Sequence, residues 1–237
     1  MAQAEICNGV DDDCDTVVDD GCPADGGSIS IGGGGTSSQY GGTTTNGMAN
    51  TRFELTCPAG TAIVGFHARA VEAINTLGAY CAAPTVHRRA AGVPYQYEVL
   101  ATDSSSLPEV GVEGSGAAVP DQRCPEGQFV VGVHIWTGSH ERGDTIQGLT
   151  AICSPYEVTG GAGAAASRSG SPVELERIGT GNAATATTAH DFSCPEQQLI
   201  NRIVGHYGPW PVYPDYFTVN AMKLDCGTLG VPVVSAP

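Results

Sequence analysis

Between residues 28 and 232 the chain passes three times through the same pair of markers, and such a repeat limits the fold more than any local signal. The first marker is a Cys-Pro turn running into an apolar strand. It reads Cys57-Pro-Ala-Gly-Thr-Ala-Ile-Val-Gly65-Phe-His67, then Cys124-Pro-Glu-Gly-Gln-Phe-Val-Val-Gly132-Val-His134, then the looser Cys194-Pro-Glu-Gln-Gln-Leu-Ile-Asn-Arg-Ile-Val-Gly205-His206. The second is a strand that ends in cysteine. Ile74-Asn-Thr-Leu77-Gly-Ala-Tyr-Cys81 matches Ile146-Gln-Gly-Leu149-Thr-Ala-Ile-Cys153 and Val219-Asn-Ala-Met222-Lys-Leu-Asp-Cys226. A period of about 70 residues divides the chain into copies at about 28–92, 93–157 and 158–232, behind a short head at 1–25. Each copy owns two cysteines. The simplest pairing joins Cys57 to Cys81, Cys124 to Cys153 and Cys194 to Cys226, with pairing across copies left open.

Each copy holds four short strands by this reading, two at 28–31 and 52–56 in copy one before its marker strands. The 33 glycines, and the Thr, Ser and Ala around them, favour short strands joined by turns over helices. Three four-stranded units suit a closed, radially repeated all-β architecture, which buries one face of each sheet and leaves few long edges. The expected fold is a pseudo-threefold β-prism of three four-stranded antiparallel sheets with a small N-terminal calcium loop. A β-trefoil repeat is usually shorter, about 40 to 50 residues, so the prism is preferred.

Charge and cysteine usage narrow the setting. The net charge of −15 argues against nucleic acid and anionic membrane as partners, because both repel an acidic surface. No apolar run approaches the ~20 residues of a membrane span, so no membrane insertion is expected. Nine cysteines without a C-x-x-C pair point to an oxidising compartment, hence a secreted, extracellular or cell-surface protein. The start Met-Ala-Gln-Ala-Glu has neither the basic nor the apolar part of a signal peptide, and is read as a mature start with the signal replaced by Met1.

Residues 1–25 carry eight of the 25 acids and no Lys or Arg. In Glu5-Ile-Cys7-Asn8-Gly-Val-Asp11-Asp12-Asp13-Cys14-Asp15-Thr-Val-Val-Asp19-Asp20-Gly-Cys22, the carboxylates of Asp11, Asp13, Asp15 and Asp19 take the first, third, fifth and ninth places of a calcium loop. The carbonyl of Val17 is a further donor, and Asp20 stands in for the acid expected at the twelfth place, where the chain has Cys22. Thr16 replaces the glycine of the sixth, and no helical pattern flanks the loop, so it is not an EF-hand. An acidic solvated tail without an ion is the plain alternative, as is copper or zinc held through Cys14. Cys7 with Cys22 would enclose the loop and leave Cys14 over.

Two resemblances follow from these residues. The glycine-rich opening Gly32-Gly-Gly-Gly35, the strand Ile63-Val-Gly-Phe66 and the strand ending near Leu77 resemble the jacalin-type lectins and the vitelline membrane outer layer protein, both β-prism folds, over about residues 28–230. The cysteine pair in every copy departs from the general jacalin pattern. The head resembles thrombospondin- or dockerin-type calcium repeats, and the Cys-Asn-Gly-x-Asp-Asp-Asp-Cys-Asp metal-binding motif of secreted bacterial proteins.

The lectin resemblance implies a sugar site in the loops between marker strands, built from a glycine turn, an aspartate and an aromatic ring. Copy three fits best, with Tyr207, Gly208, Trp210, Tyr213, Asp215 and Tyr216, its prolines stiffening the loop. Copy two offers Trp136 and Asp144 beside Gly143, whereas copy one has only Arg69-Ala-Val-Glu72. The same aromatics could instead cap the prism end as a small apolar cluster. No nucleophile elbow occurs in a strand-to-helix setting, and Glu72, Glu141, Asp144 and Asp215 read as solvated loop acids, so no enzyme is expected. His67 and His134 share a repeat position, with His206 one step away, which reads as a packing rule. The overall reading is an extracellular calcium-binding, lectin-like protein with a carbohydrate partner. Its rival is a structural subunit of a surface layer or fibre, a homo-oligomer assembled through the calcium and cysteine head.

Overall fold

The computed structural model describes residues 6–45, 47–89, 94–112, 115–140, 143–159, 164–180, 187–210 and 215–234. All regular structure among them is β, as expected. Three long antiparallel hairpins carry it: Ala62–Ala70 with Ile74–Arg88, Gln128–His140 with Gly143–Thr159, and Gln198–Pro209 with Phe217–Gly230. Each begins after a Cys-Pro turn. That turn is closed the same way three times, by N–H groups of Thr61, Gln128 and Gln198 donating to the carbonyls of Pro58, Pro125 and Pro195.

The strands beside each hairpin come from the next copy in the ring. Sheet one flanks the first hairpin with Tyr97–Ser106 and with Ala117–Ala118 and Gln122–Arg123, all from copy two. Sheet two flanks the second with Ala165–Arg168, Val173–Glu174 and Thr187–Ser193, from copy three. Sheet three flanks the third with Ser30–Thr36 and Thr51–Thr56, from copy one, which closes the circle. The sheets therefore cut across the sequence copies. One pin repeats at every junction: the N–H of Cys57, Cys124 and Cys194 donates to Asn201, Val64 and Val131, each in the preceding hairpin. Sheets one and two also share a ladder, between residues 97–99 and 156–158.

Local sequence explains the outer strands. In Thr51–Thr56 only Phe53 and Leu55 are buried, while Arg52, Glu54 and Thr56 face solvent, the period-two pattern of a half-buried strand. The hairpin strands are buried almost continuously, since both faces are covered where they meet. Two apolar clusters result. One lies among the three hairpins and includes Phe66, Ile74, Ile135, Leu149, Ile203 and Met222. The other gathers the strand ends at the Cys-Pro pole, among them Ala62, Val86, Phe129, Val158, Leu199 and Leu229.

Four disulfides form, Cys7 with Cys22, Cys57 with Cys81, Cys124 with Cys153 and Cys194 with Cys226, and Cys14 is free and exposed. The last three bridges tie sheet three to one, one to two, and two to three. The first is a docking device. Cys7 and Cys22 are buried in the second apolar cluster, the Tyr95 N–H donates to the Cys7 carbonyl at 2.7 Å, and Gly21 and Cys22 pair with Val234. The head is thus seated on the Cys-Pro pole rather than trailing as a solvated tail. No helix among the described residues is long and apolar enough to cross a membrane.

Candidate functional site

At the pole opposite the Cys-Pro turns, every hairpin ends in the same irregularity. The ladder slips between Arg69 and Ala70, Trp136 and Thr137, and His206 and Tyr207, leaving Asn75, Gln147 and Asn220 as the extra residue of a bulge. All three amides are buried, at 4%, 0% and 0% exposure, so each must find partners inside the protein. Glycine is required beside them. Gly111 and Gly179 have φ of +121° and +80°, and a Cβ there would lie 2.5 Å from the Asn75 carbonyl and 2.6 Å from that of Gln147.

The Asn220 amide is fully used. Its Oδ1 accepts the Thr218 hydroxyl at 2.6 Å, and its Nδ2 donates to the Thr45 hydroxyl at 3.1 Å and the Pro209 carbonyl at 3.3 Å. Asn75 is used on one side only. Its Nδ2 donates to the Phe217 carbonyl at 2.9 Å and the Ser115 hydroxyl at 3.3 Å, which fixes the amide's orientation, and its Oδ1 has no partner among the described residues.

Asn75 is one of the residues around a cavity of about 410 Å³, where copies one and three meet beside Gly116 of copy two. Copy one supplies Val71, Glu72, Ala73 and Asn75; copy three supplies Trp210 and Tyr216. The Trp210 N–H donates to the Tyr216 carbonyl at 2.6 Å, clamping the base of the loop. Trp210 is buried, whereas Tyr216 is 59% exposed and offers its ring to solvent.

The other expected residues disperse. Tyr207 packs half-buried on the inner core, Gly208 is buried with its Cα hydrogens turned toward Asn50, and Asp215 is exposed on the loop outside the cavity wall. Tyr213 lies outside the described residues. In copy two, the Arg177 guanidinium covers the Trp136 ring at 4.1 Å, and Asp144 accepts the Ser139 hydroxyl at 2.6 Å; neither lines the cavity. The partner of the copy-three loop is the short copy-one segment. Sequence reasoning passed over it because Val71, Glu72 and Ala73 include no aromatic.

The histidines lie on outer faces. His67 faces Gly78 and His134 faces Thr150, but the third hairpin puts Val204 at this place, so His206 is two residues beyond it and not one. Ser106, His67 and Glu109 form a chain at 3.3 Å for each link, the order of a catalytic triad. The nitrogen facing Ser106 is already occupied by the Leu107 carbonyl at 2.9 Å, so it cannot take the serine proton.

His134 contacts Asp191 at 2.5 Å and Glu174 at 3.3 Å, and the Asp191 hydrogen bond, aided by Glu174, raises its pKa above the usual value against partial burial. The stabilisation is complete below the unfolded histidine pKa and is lost as pH rises through the higher folded one. Both carboxylates are well exposed, so it amounts to less than about 1 kcal/mol. Proton NMR titration should place His134 above His206, which burial and then Arg52 push down, and Asp191→Asn should lower His134. Unchanged titration in that variant contradicts the assignment.

In the head, ligand atoms of Asp11, Asp13 and Asp15 lie within 4.8 Å of one another. Backbone turns hold them there: Asp11 accepts the N–H of Asp15 and Thr16, Asp13 that of Asp15, and Asp15 that of Val17 at 2.8 Å. Asp19 points elsewhere. Its carboxylate accepts the N–H of Asn8 at 2.8 Å and of Gly9 at 3.0 Å, tying the two limbs of the loop together. Asp20 is half-buried outside the trio. Three carboxylates at this separation could hold a metal ion through oxygen donors.

No family model matches this chain, and no curated protein matches it. Solved structures with a similar chain path include artocarpin in complex with mannopentose, at TM-score 0.46 and 14% identity over 82% of this chain and 97% of that one. The Vibrio cholerae biofilm matrix protein Bap1 gives 0.47 and 10% identity over 86% of this chain and 27% of that one. The second β-prism domain of V. cholerae RbmC, bound to N-acetylglucosaminyl-β-1,2-mannose, gives 0.38 and 13% identity over 80% and 98%. The class defined by the ladders is an all-β prism.

Proposed function

We propose that this chain is an extracellular, lectin-like protein that binds carbohydrate in the cavity between the copy-three loop and the copy-one hairpin end, and carries calcium in its head. The observation that supports the sugar reading is the exposed Tyr216 ring beside Trp210 on the wall of one cavity that also carries the polar residues Glu72 and Asn75. A pyranose has an apolar face that stacks on aromatic rings and a rim of hydroxyls that need polar partners. The volume lies within the ordinary range of small-molecule sites, about 300–1,000 Å³. Hydrolysis is not supported. Glu72 is the one acid among the described residues of the wall, and cleaving a glycoside takes two carboxylates on either side of the bond.

Glycan-array binding tests this, with Tyr216→Ala as the variant that leaves the core alone, since its ring is mostly exposed. Loss of a stacked aromatic should weaken binding by about five- to thirtyfold, from ~1–2 kcal/mol of area and stacking. Trp210→Ala should abolish it, whereas Asp215→Ala, outside the cavity wall, should leave it nearly unchanged. Arrays and cell-wall pull-downs that bind nothing contradict the proposal. The free, exposed Cys14 and the exposed Ile6, Val10 and Val18 favour a second reading, assembly of copies through the head. Light scattering and non-reducing mass with and without chelator separate the two.

A further inference from the structure

The wall of the cavity carries a carboxylate and, among its described residues, no cation. Glu72 is half-buried there, yet it makes no hydrogen bond or ion pair with any described residue. Asn75 is already spent: its Nδ2 donates to Phe217 and Ser115, and its Oδ1 is shut against Gly116, where a Cβ would meet it at 2.4 Å. Arg69, the nearest arginine along the chain, is not on the wall. Its Nε and Nη2 both donate to the Gly116 carbonyl, at 3.1 Å and 2.9 Å, and no ion pair joins it to Glu72.

The same wall holds Trp210 and the Tyr216 ring, which is mostly exposed. A carboxylate beside aromatic faces attracts a cation in two ways, through its charge and through the negative face of each ring. It repels an anion. A neutral hydroxyl can donate to Glu72 but brings no charge, so it gains the hydrogen bond alone. The rest of the chain pushes in the same direction, since 25 acids against 10 bases leave a negative potential around the molecule. Partial burial of Glu72 also lessens the screening that makes exposed ion pairs weak.

We propose that the cavity selects sugars by charge: it prefers a hexose with a free ammonium over a neutral hexose and rejects uronic acids, and Glu72 is the residue that sets this order. The proposal rests on the reading of this cavity as a carbohydrate site and adds the class of sugar it takes. The ammonium is drawn to Glu72 while the apolar face of the ring meets Tyr216. Acetylation of the amine removes the charge, so the acetylated sugar falls back to the level of the neutral one or below.

Calorimetry on the full chain at neutral pH and low salt tests it, with a panel of methyl hexosides, each beside its analogues bearing an amine at carbon two or carbon six and beside its uronic acid. In the wild type the better amine should bind about fivefold or more tighter than its neutral parent, and the uronic acid weaker by a similar factor. In Glu72→Gln, which keeps the shape of the side chain and removes its charge, the three affinities should converge to within about twofold. Added salt should weaken the amine and not the neutral parent. Tetramethylammonium followed through the Trp210 indole resonance gives a reading independent of sugar, shifting it in the wild type and not in the variant. Amines that bind no tighter than their parents, or a preference that survives in Glu72→Gln, overturn the role of Glu72 and leave the carbohydrate site standing. Absent hexoside binding with a tetramethylammonium shift confined to the wild type ends the carbohydrate reading and keeps the cation site. Absence of both ends both.

Discussion

Replacing Cys57 and Cys81 together with alanine is expected to destabilise the protein by about 3–4 kcal/mol, the entropy released when a loop of this length opens in the unfolded chain. The bridge spans 24 residues, and its counterparts Cys124 with Cys153 and Cys194 with Cys226 span 29 and 32, so the three should be nearly equivalent. Position adds to length. Cys57 follows a strand of sheet three and Cys81 lies in sheet one, so the bridge holds a junction between sheets rather than a hairpin already zipped by its own ladder. For a chain of this size, that loss lowers the melting temperature by roughly 6–15 °C. Reducing all three bridges removes about 10 kcal/mol, comparable with the whole stability of an ordinary domain, and should unfold the prism. Calorimetry of the double variant measures the first, and calorimetry of the wild type with a phosphine reductant, which opens the Cys7–Cys22 bridge as well, measures the second. A shift under about 3 °C would show that the ladders alone close the ring.

Calcium should bind once per chain and stabilise the head by about 2.7 kcal/mol at a hundred times its dissociation constant. The trio of Asp11, Asp13 and Asp15 repels itself without a cation, while the loop that holds it is anchored through the buried Cys7 and Cys22 bridge. Binding therefore stiffens a segment already attached at its base, and the gain should appear as protection from proteolysis between Cys7 and Cys22. Asp13→Asn should remove most of the affinity. Asp19→Asn should act differently, loosening the loop by weakening its bonds to Asn8 and Gly9 without removing a carboxylate of the trio. Calorimetry that detects no calcium binding at millimolar concentration, with cleavage unchanged by chelator, contradicts this.

The prism was legible because the same residue types return in each copy. A Cys-Pro turn, an apolar strand and a strand ending in cysteine are local patterns, and their threefold recurrence carried the disulfide pairing with it. Strand exchange was not legible. Thr51–Thr56 has the same alternating pattern whichever hairpin it joins, and only the closed ring decides that it pairs with Gln198–Pro209.

The cavity was half legible. Trp210 and Tyr216 announce themselves by type, but Val71, Glu72 and Ala73 become a wall only because the ring brings the end of copy three beside copy one. Asn75, Gln147 and Asn220 stood in plain view as the second residue of each cysteine-ending marker. Their meaning needed burial, which a sequence does not print. In the head, spacing located the trio yet misdirected Asp19. Backbone at φ of +64°, +81° and +57° in Cys14, Thr16 and Asp19 folds the loop back, so that Asp19 meets Asn8 and Gly9.

The central claim is that a sugar occupies the cavity between copies one and three. A crystal structure of the protein soaked with a panel of methyl hexosides tests it most directly. The account predicts a pyranose against Tyr216 and Trp210, bounded by Val71, Glu72 and Ala73. A sugar bound instead at Trp136 and Asp144, or a hairpin pole where copies one and three stand apart, would contradict it.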